Sequence, residues 1–253
     1  MTLDDLPAVA GVPGVTAAQM AEIDRAAVEE LGISTEMLME NAARQVALTC
    51  RAVLGSVAGP AGSIKGRRIV CLAGTGNNGG DALAAARRLH VWGARVRCVV
   101  TAGRDQPHGG LNERQHGILE RVGIPVASVD EARLDEAELI VDGLLGYSVR
   151  GAPRGNTELL IREADRSRVP IVAVDLPSGL DPDRGEPLGV AIRAAVTVTL
   201  ALPKTGLLRT PARNLVGELL LADIGIPPQL YDRFDIDARG CFVDGDLVRV
   251  IRS

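Results

Sequence analysis

The chain has 253 residues, 46% hydrophobic and 24% charged, with a formal net charge of −4 at neutral pH, enough for one large α/β domain or two small ones. Aromatic residues make up only 2% and no long basic run occurs, which argues against a base-stacking surface and against DNA, RNA or a membrane as an electrostatic partner.

Residues 1–15 read as an N-terminal arm of a single domain spanning 1–253, with Asp4 and Asp5 where a secretory leader would carry basic residues. Thr16 offers an N-cap for a helix over Ala17 to Leu31, with Gln19 completing a capping box. Met20, Ile23, Ala27 and Leu31 share one face of it, and Gly32 closes it. Ser34 caps a second helix containing Met37, Leu38, Asn41, Ala42 and Val46, and Gly55 to Gly66, with Pro60, reads as a loop.

From Arg67 the pattern becomes strand, turn, helix. Strands are expected at Ile69 to Ala73, Arg95 to Val100, Ile124 to Val126, Leu139 to Val141, Pro170 to Val174, Val196 to Leu200 and Leu215 to Leu221. Helices are expected at Ala82 to Trp92, Leu111 to Val122 and Thr157 to Arg166, stopped by Gly93 and Gly123 in the first two cases and capped by Asn156 in the third. Short apolar runs alternating with helices predict a mostly parallel sheet covered on both faces. No uninterrupted apolar run approaches the ~18 residues of a membrane span; the best, Ala194 to Leu202, is far too short. A soluble, cytoplasmic protein is expected. None of Cys50, Cys71, Cys98 and Cys241 is in CxxC spacing, so buried reduced thiols are the expectation, and with three histidines no zinc site is indicated.

In such folds ligands bind beyond the C-terminal ends of the strands. The polar residues after each apolar run are therefore expected to converge: Asn77, Asn78 and Asp81, then Asp142, then Asp175 and Ser178, then Lys204. The run Gly74-Thr75-Gly76-Asn77-Asn78-Gly79-Gly80-Asp81 places four glycines between a strand and a helix. Glycine permits close backbone approach, and a helix N-terminus favours an anion, so the turn reads as a phosphate cradle. Its G-x-G-x-x-G match is weak alone. The next strand runs on to Thr101-Ala102-Gly103-Arg104 without the acid that an ordinary dinucleotide site places on the ribose.

Asp142 opens a glycine-punctuated loop with Tyr147 and Arg150; it either ligates a cation or caps a turn, and Arg150 either meets a phosphate or is solvated. Asp175 ends a buried strand, where burial raises a carboxyl pKa and poises it for proton transfer. Ser178 has no histidine near it in sequence, and reads as a hard-cation ligand beside Asn78 and Asp142. Neutral oxygens with one or two charges suit a weakly charged ion such as K⁺. Lys204 either meets a phosphate at the same rim or is a solvated loop lysine.

Taken in order, these segments resemble the NAD(P)H-hydrate epimerase family, also called the YjeF N-terminal-domain family. The resemblance runs from about Val15 to Leu221 and rests on Thr16-Ala17-Ala18-Gln19-Met20 with Ile23-Asp24, Met39-Glu40-Asn41-Ala42-Ala43, Gly76 to Asp81, Val141-Asp142, Asp175-Leu176-Pro177-Ser178-Gly179 and Pro203-Lys204-Thr205-Gly206-Leu207. It implies a three-layer α/β/α sandwich of Rossmann-like topology, a homodimer, and interconversion of the R and S forms of hydrated NADH and NADPH. That repair step feeds a dehydratase, here a separate chain.

The resemblance also implies a potassium ion on Asn78, Asp142 and Ser178. Substrate would contact Asn77, Asn78, Gly79, Gly80 and Asp81, the loop Gly146, Tyr147, Ser148, Val149, Arg150, Gly151 and Ala152, then Asp175, with Lys204 at the same rim. Asp175 would deliver the proton to the departing hydroxyl and remove it from the incoming one, and Asp175→Asn is expected to stop turnover with the fold intact. Two positions depart from the family pattern: Ala82 replaces the usual glycine, and Tyr147-Ser148 replaces a smaller loop sequence. The alternatives are a non-catalytic nucleotide-binding or scaffolding module of the same fold, and an enzyme acting on another nucleotide-like phosphate compound.

Overall fold

The structure is a computed structural model that describes residues 2–57, 63–101 and 110–252. Pro60 and Arg104 of the sequence reading lie outside the described residues. Among those described, nine strands form one sheet in the order β1-β9-β8-β7-β6-β5-β2-β3-β4. They are Ala8–Ala10 (β1), Arg68–Ala73 (β2), Arg95–Val100 (β3), Val126–Ala127 (β4), Leu139–Gly143 (β5), Ile171–Val174 (β6), Val196–Leu200 (β7), Glu218–Ala222 (β8) and Leu247–Ile251 (β9). The helices are Ala17–Glu29 (α1), Thr35–Val57 (α2), Asn77–Val91 (α3), Gly110–Arg121 (α4), Gly155–Ser167 (α5) and Arg213–Val216 (α6). All strand pairings are parallel except β8 with β9. No helix among the described residues is long and apolar enough to cross a membrane.

The central strands are apolar on both faces because helices cover both. Ile69, Cys71, Ala73, Leu139 and Val141 face the cluster that contains α1, α2 and α3. Their neighbours Val70, Leu72 and Ile140 face Leu160, Ile161 and Ala164 of α5. This alternation makes the three-layer α/β sandwich. In α3, Ala82, Ala84, Ala85 and Ala86 are fully buried, and such small side chains let the helix lie close to the sheet and to α2. Cys50, Cys71, Cys98 and Cys241 are buried free thiols.

The first helix forms for the reason its sequence predicts: the Thr16 backbone N–H donates to Gln19 Oε1 at 2.8 Å, and the Gln19 N–H donates to Thr16 Oγ1 at 3.2 Å. Ser34 Oγ accepts from the Met37 N–H at 3.3 Å, as its capping role requires. Elsewhere local signals and structure part. The segment read as an arm supplies β1, which pairs with β9, and neither strand was expected. Helix α2 runs through Gly55 to Val57, so the expected loop starts later. The third strand of the reading sits at Val126–Ala127 instead of Ile124 to Val126. Asn156 lies inside α5, whose N-cap is Arg154, and its side chain instead donates to the Thr101 carbonyl at 2.9 Å. Leu215 and Val216 belong to α6, and the chain turns at Gly217, with φ +62°, before β8 begins.

The most consequential difference is the start of α3. The helix begins at Asn77, with Gly76 as N-cap, five residues before the expected Ala82. Gly79, Gly80 and Asp81 are therefore helical. Two glycines cost such a segment about 1 kcal/mol each relative to alanine, and the packing described next explains why they remain.

Candidate active site

Strand β2 is flanked by β3 on one side and β5 on the other. The chain leaves β2 towards β3 and β4, then returns to β5. Such a reversal opens a crevice at the strands' C-terminal ends, where α/β folds bind ligands. Here the crevice lies between the turn after β2 and the loop after β5. Both backbones come very close: a Cβ on Gly74 would lie 1.9 Å from the Leu144 carbonyl oxygen. A Cβ on Gly79 would lie 2.1 Å from the Gly74 carbonyl oxygen, and one on Gly80 would lie 2.4 Å from Met39 Cε. These three glycines serve internal packing. Gly76 alone of the four has nothing within 4 Å of its Cβ position, so the free N–H groups at the start of α3 are open to a ligand. Asn112 of α4 pins the turn by donating to the Gly74 and Gly76 carbonyls at 3.0 and 2.9 Å.

Below the crevice, Asp142, the penultimate residue of β5, is fully buried. Its Oδ2 accepts from the Ser178 N–H at 2.8 Å, and its Oδ1 from Ser178 Oγ at 2.6 Å and the Leu144 N–H at 3.2 Å. Burial pushes the Asp142 carboxyl up to about 6, against the pull of those donors. Ser178 Oγ in turn accepts from the Leu145 N–H at 2.9 Å, and Asn78 Nδ2 donates to the Leu145 carbonyl at 2.9 Å. Asn78, Asp142 and Ser178 are thus brought together by one backbone segment. Together with the Leu145 carbonyl they offer one carboxylate, one hydroxyl, one amide oxygen and one carbonyl. That donor set fits a hard monovalent cation.

Asp175 follows β6 in a tight three-residue turn. Its φ is +66°, and the Leu176 N–H donates to the Val174 carbonyl across it at 2.8 Å. This is a rare, strained turn for a non-glycine residue. It aims the carboxylate at the end of β7, where Oδ1 accepts from the Leu200 N–H at 3.1 Å and forms an ion pair with Lys204. Lys204 also donates to the Leu200 carbonyl at 3.2 Å and is only 1% exposed. It is therefore neither a solvated loop lysine nor a free rim cation. An isolated bridge holds its segment in place: the Val15 N–H donates to the Pro203 carbonyl and the Thr205 N–H to the Val15 carbonyl.

These groups line one cavity of about 740 Å³ together with Asn77, Asn78, Asp81 and the loop from Gly146 to Val149. Asp142 and Ser178 lie behind that lining. Gly79 and Gly80, expected to touch ligand, are packed away from it, and Arg150, Gly151 and Ala152 are exposed outside it. The convergence expected of the strand-end residues is present. Ala82 is fully buried, and a Cβ on Gly143 would lie 2.5 Å from its methyl, so this departure from the family pattern concerns packing beside the sheet. The second departure faces the cavity. Tyr147 donates its hydroxyl to Asp24 Oδ2 at 2.5 Å, and Lys204 Nζ lies 5.4 Å from its ring centroid.

Sequence reasoning missed Asp24 and Asn112 as site residues. Asp24 was legible only as part of the opening helix motif, and Asn112 carried no signal. Burial raises the Asp24 carboxyl, with the Tyr147 hydrogen bond and Lys204 opposing. It raises the Asp81 carboxyl well above its ordinary value, and the neighbouring Asp175 and Asp24 add to that.

The family model described as "YjeF-related protein N-terminus" matches residues 35–206. A protein of Dehalogenimonas lykanthroporepellens named NAD(P)H-hydrate epimerase is 40% identical over 243 residues, covering 94% of this chain and 93% of its own. One of the same name from Limosilactobacillus fermentum is 38% identical, covering 83% of this chain and 95% of its own. A Moorella thermoacetica protein named bifunctional NAD(P)H-hydrate repair enzyme Nnr is 37% identical over 85% of this chain and 41% of its own. The crystal structure of yeast ynu0 superposes with a TM-score of 0.78 at 25% identity, covering 94% of this chain and all of that one. Asp24, on α1, lies outside the matched segment, yet faces the same cavity as the matched motifs. With a family model matched across 35–206 and relatives aligned over most of its length, the chain belongs to the family of YjeF-related protein N-terminus domains.

Proposed function

We propose that the protein interconverts the R and S forms of hydrated NADH and NADPH. The observation that carries this reading is the Asp175–Lys204 pair, buried on the wall of a nucleotide-sized cavity whose rim is the open N-terminus of α3. The names of the relatives aligned over most of this chain support it. The hydrated carbon adjoins the ring nitrogen, so its hydroxyl leaves as the nitrogen lone pair forms a double bond, and water returns on either face. The backbone N–H groups beside Gly76 bind phosphate oxygens and orient the nucleotide. Asp175 Oδ1 is engaged by Lys204, and Asp175 accepts the proton of the returning water. The strained turn at Asp175 fixes its direction before substrate arrives.

Asn78, Asp142 and Ser178 would hold a potassium ion, which would supply a fixed positive charge between the loops after β5 and β6. The relative named bifunctional NAD(P)H-hydrate repair enzyme aligns with this chain over 41% of its own length. We infer that a dehydratase consumes one epimer, with the epimerase acting as a cytoplasmic homodimer.

The test is direct. Purified protein is mixed with NADH hydrate enriched in one epimer, and the epimer ratio is followed by chromatography in potassium and in sodium buffer. Rapid approach to the equilibrium ratio, faster in potassium, is the expected result. No acceleration over buffer defeats the enzyme reading and leaves a binding module. Equal rates in the two salts defeat the ion's role alone.

A further inference from the structure

We infer that, in one direction of the epimerisation, Asp81 is the acid that protonates the departing hydroxyl and Asp175 accepts the proton of the incoming water. This rests on the epimerase reading above and divides its proton chemistry between two residues. Four carboxyl groups and two cations line the cavity: Asp24, Arg25 and Glu29 from α1, Asp81 from α3, Asp175 after β6 and Lys204 after β7; Arg25 and Glu29 are exposed and pair with each other at 2.5 Å. Besides Glu29, two more of the carboxyls are already engaged. Asp175 holds Lys204, and Asp24 accepts the Tyr147 hydroxyl. The Asp81 side chain makes no hydrogen bond or ion pair among the described residues, yet the residue is only 8% exposed. An unpartnered polar side chain at that depth, on a cavity wall, is shaped for a ligand group.

Its charge state follows from its surroundings. A buried carboxyl that faces two other carboxyls and an ammonium already paired elsewhere is pushed towards its protonated form. The dipole of α3 favours the anion, but that influence fades within the first turn, and Asp81 is the fifth residue of the helix. Burial and the repulsion of Asp175 and Asp24 therefore prevail over the dipole and Lys204. A carboxyl pushed towards its neutral form beside a second one held by a lysine is the arrangement that splits acid from base in one site.

The step balances as follows. The C–O bond breaks, its electron pair goes to oxygen with the proton from Asp81, and water leaves. The ring nitrogen lone pair forms the C=N bond. Water then adds to the other face, the C=N pair returns to nitrogen, and the water's proton passes to Asp175. One turnover moves one proton from Asp81 to Asp175, and exchange with solvent restores it. The reverse conversion uses the same groups with their roles exchanged.

The experiment compares wild type, Asp81→Asn and Asp81→Glu on NADH hydrate enriched in one epimer across pH, with thermal melting to check folding. For Asp81→Asn, kcat is expected to fall at least about 100-fold with KM within a few-fold. The descending high-pH limb of the wild-type kcat/KM profile should vanish, because Asp81 must be protonated while Asp24, Asp175, Lys204 and Tyr147 are unchanged. Asp81→Glu should recover at least a tenth of the rate. A folded Asp81→Asn with kcat within three-fold of wild type, or one that keeps the high-pH limb, overturns the assignment while the epimerase reading stands. An inactive wild type defeats both. Infrared spectroscopy without substrate gives a second readout: a protonated-carboxyl C=O band at neutral pH should be present in wild type and reduced in Asp81→Asn, and identical spectra reject the proposal.

Discussion

Lys204 is 1% exposed, and its ammonium is shared between Asp175 and the Leu200 carbonyl. Removing one partner of a buried ion pair strands the other, at a cost of about 3–5 kcal/mol, while removing both is much milder. Asp175→Asn is therefore expected to stop turnover and also to destabilise the fold by about that amount, contrary to the expectation drawn from sequence that the fold stays intact. Asp175→Asn combined with Lys204→Met should recover most of the stability and none of the activity, as read by urea unfolding at neutral pH. Equal stabilities for the single and double variants would contradict the pairing. The Asp81 carboxyl sits above its ordinary 3.8 through burial first, then through Asp175 and Asp24. The native state thus holds a proton that the unfolded chain has released, so this group's contribution is fully present below about pH 4 and is lost as pH rises towards its folded value. Asp81→Asn should flatten that decline, leaving the variant more stable than wild type at neutral and mildly alkaline pH in the same unfolding assay.

At the scale of elements, the glycine-rich turn separates two roles that look alike in sequence. Gly79→Ala forces a methyl to within 2.1 Å of the Gly74 carbonyl oxygen, and overpacking of this kind costs about 1–3 kcal/mol. Gly76→Ala meets nothing within 4 Å and should leave thermal stability nearly unchanged. Its methyl intrudes where phosphate approaches, so KM should rise while kcat changes little. Strands such as Ile171–Val174 were legible because a strand buried on both faces is a plain apolar run. The start of α3 was not, because Gly79 and Gly80 argue locally for a turn, and only their contacts with Gly74 and Met39 explain them as helix. β1 is too short to carry a pattern, whereas Leu247–Ile251 was an apolar run passed over beside Arg249. Among site residues, those at strand ends were foreseeable from topology. Asp24 on α1, Asn112 on α4 and the internal engagement of Lys204 depend on contacts between distant segments, which spacing does not encode.

At the scale of the whole molecule, the cavity lies where β2 meets β5, and the far edge of the sheet is built by β1, β9 and β8. Two features of the N-terminal segment separate stability from function. Ala8–Ala10 pairs with β9, with the Arg249 N–H donating to the Pro7 carbonyl at 2.8 Å, and Leu6 is buried in the main core. Val15, further along, bridges to the Lys204 segment. Deleting residues 2–12 removes the first set of contacts and keeps the second. Losing the Leu6 side chain alone forfeits about 1.5–3 kcal/mol of burial, and a domain of this size shifts by about 2–4 °C per kcal/mol. The melting temperature should therefore drop by several degrees, while kcat for epimerisation stays within about two-fold because Val15 still holds Lys204 against Asp175. The deletion also leaves β9 as an uncovered edge, the geometry that invites strand pairing between molecules, so light scattering should report more association on mild heating than for wild type. A truncated protein that kept its melting temperature would show that β1 adds nothing to the sheet. One that kept its stability but lost turnover would show that the first twelve residues support the cavity by a route other than Val15.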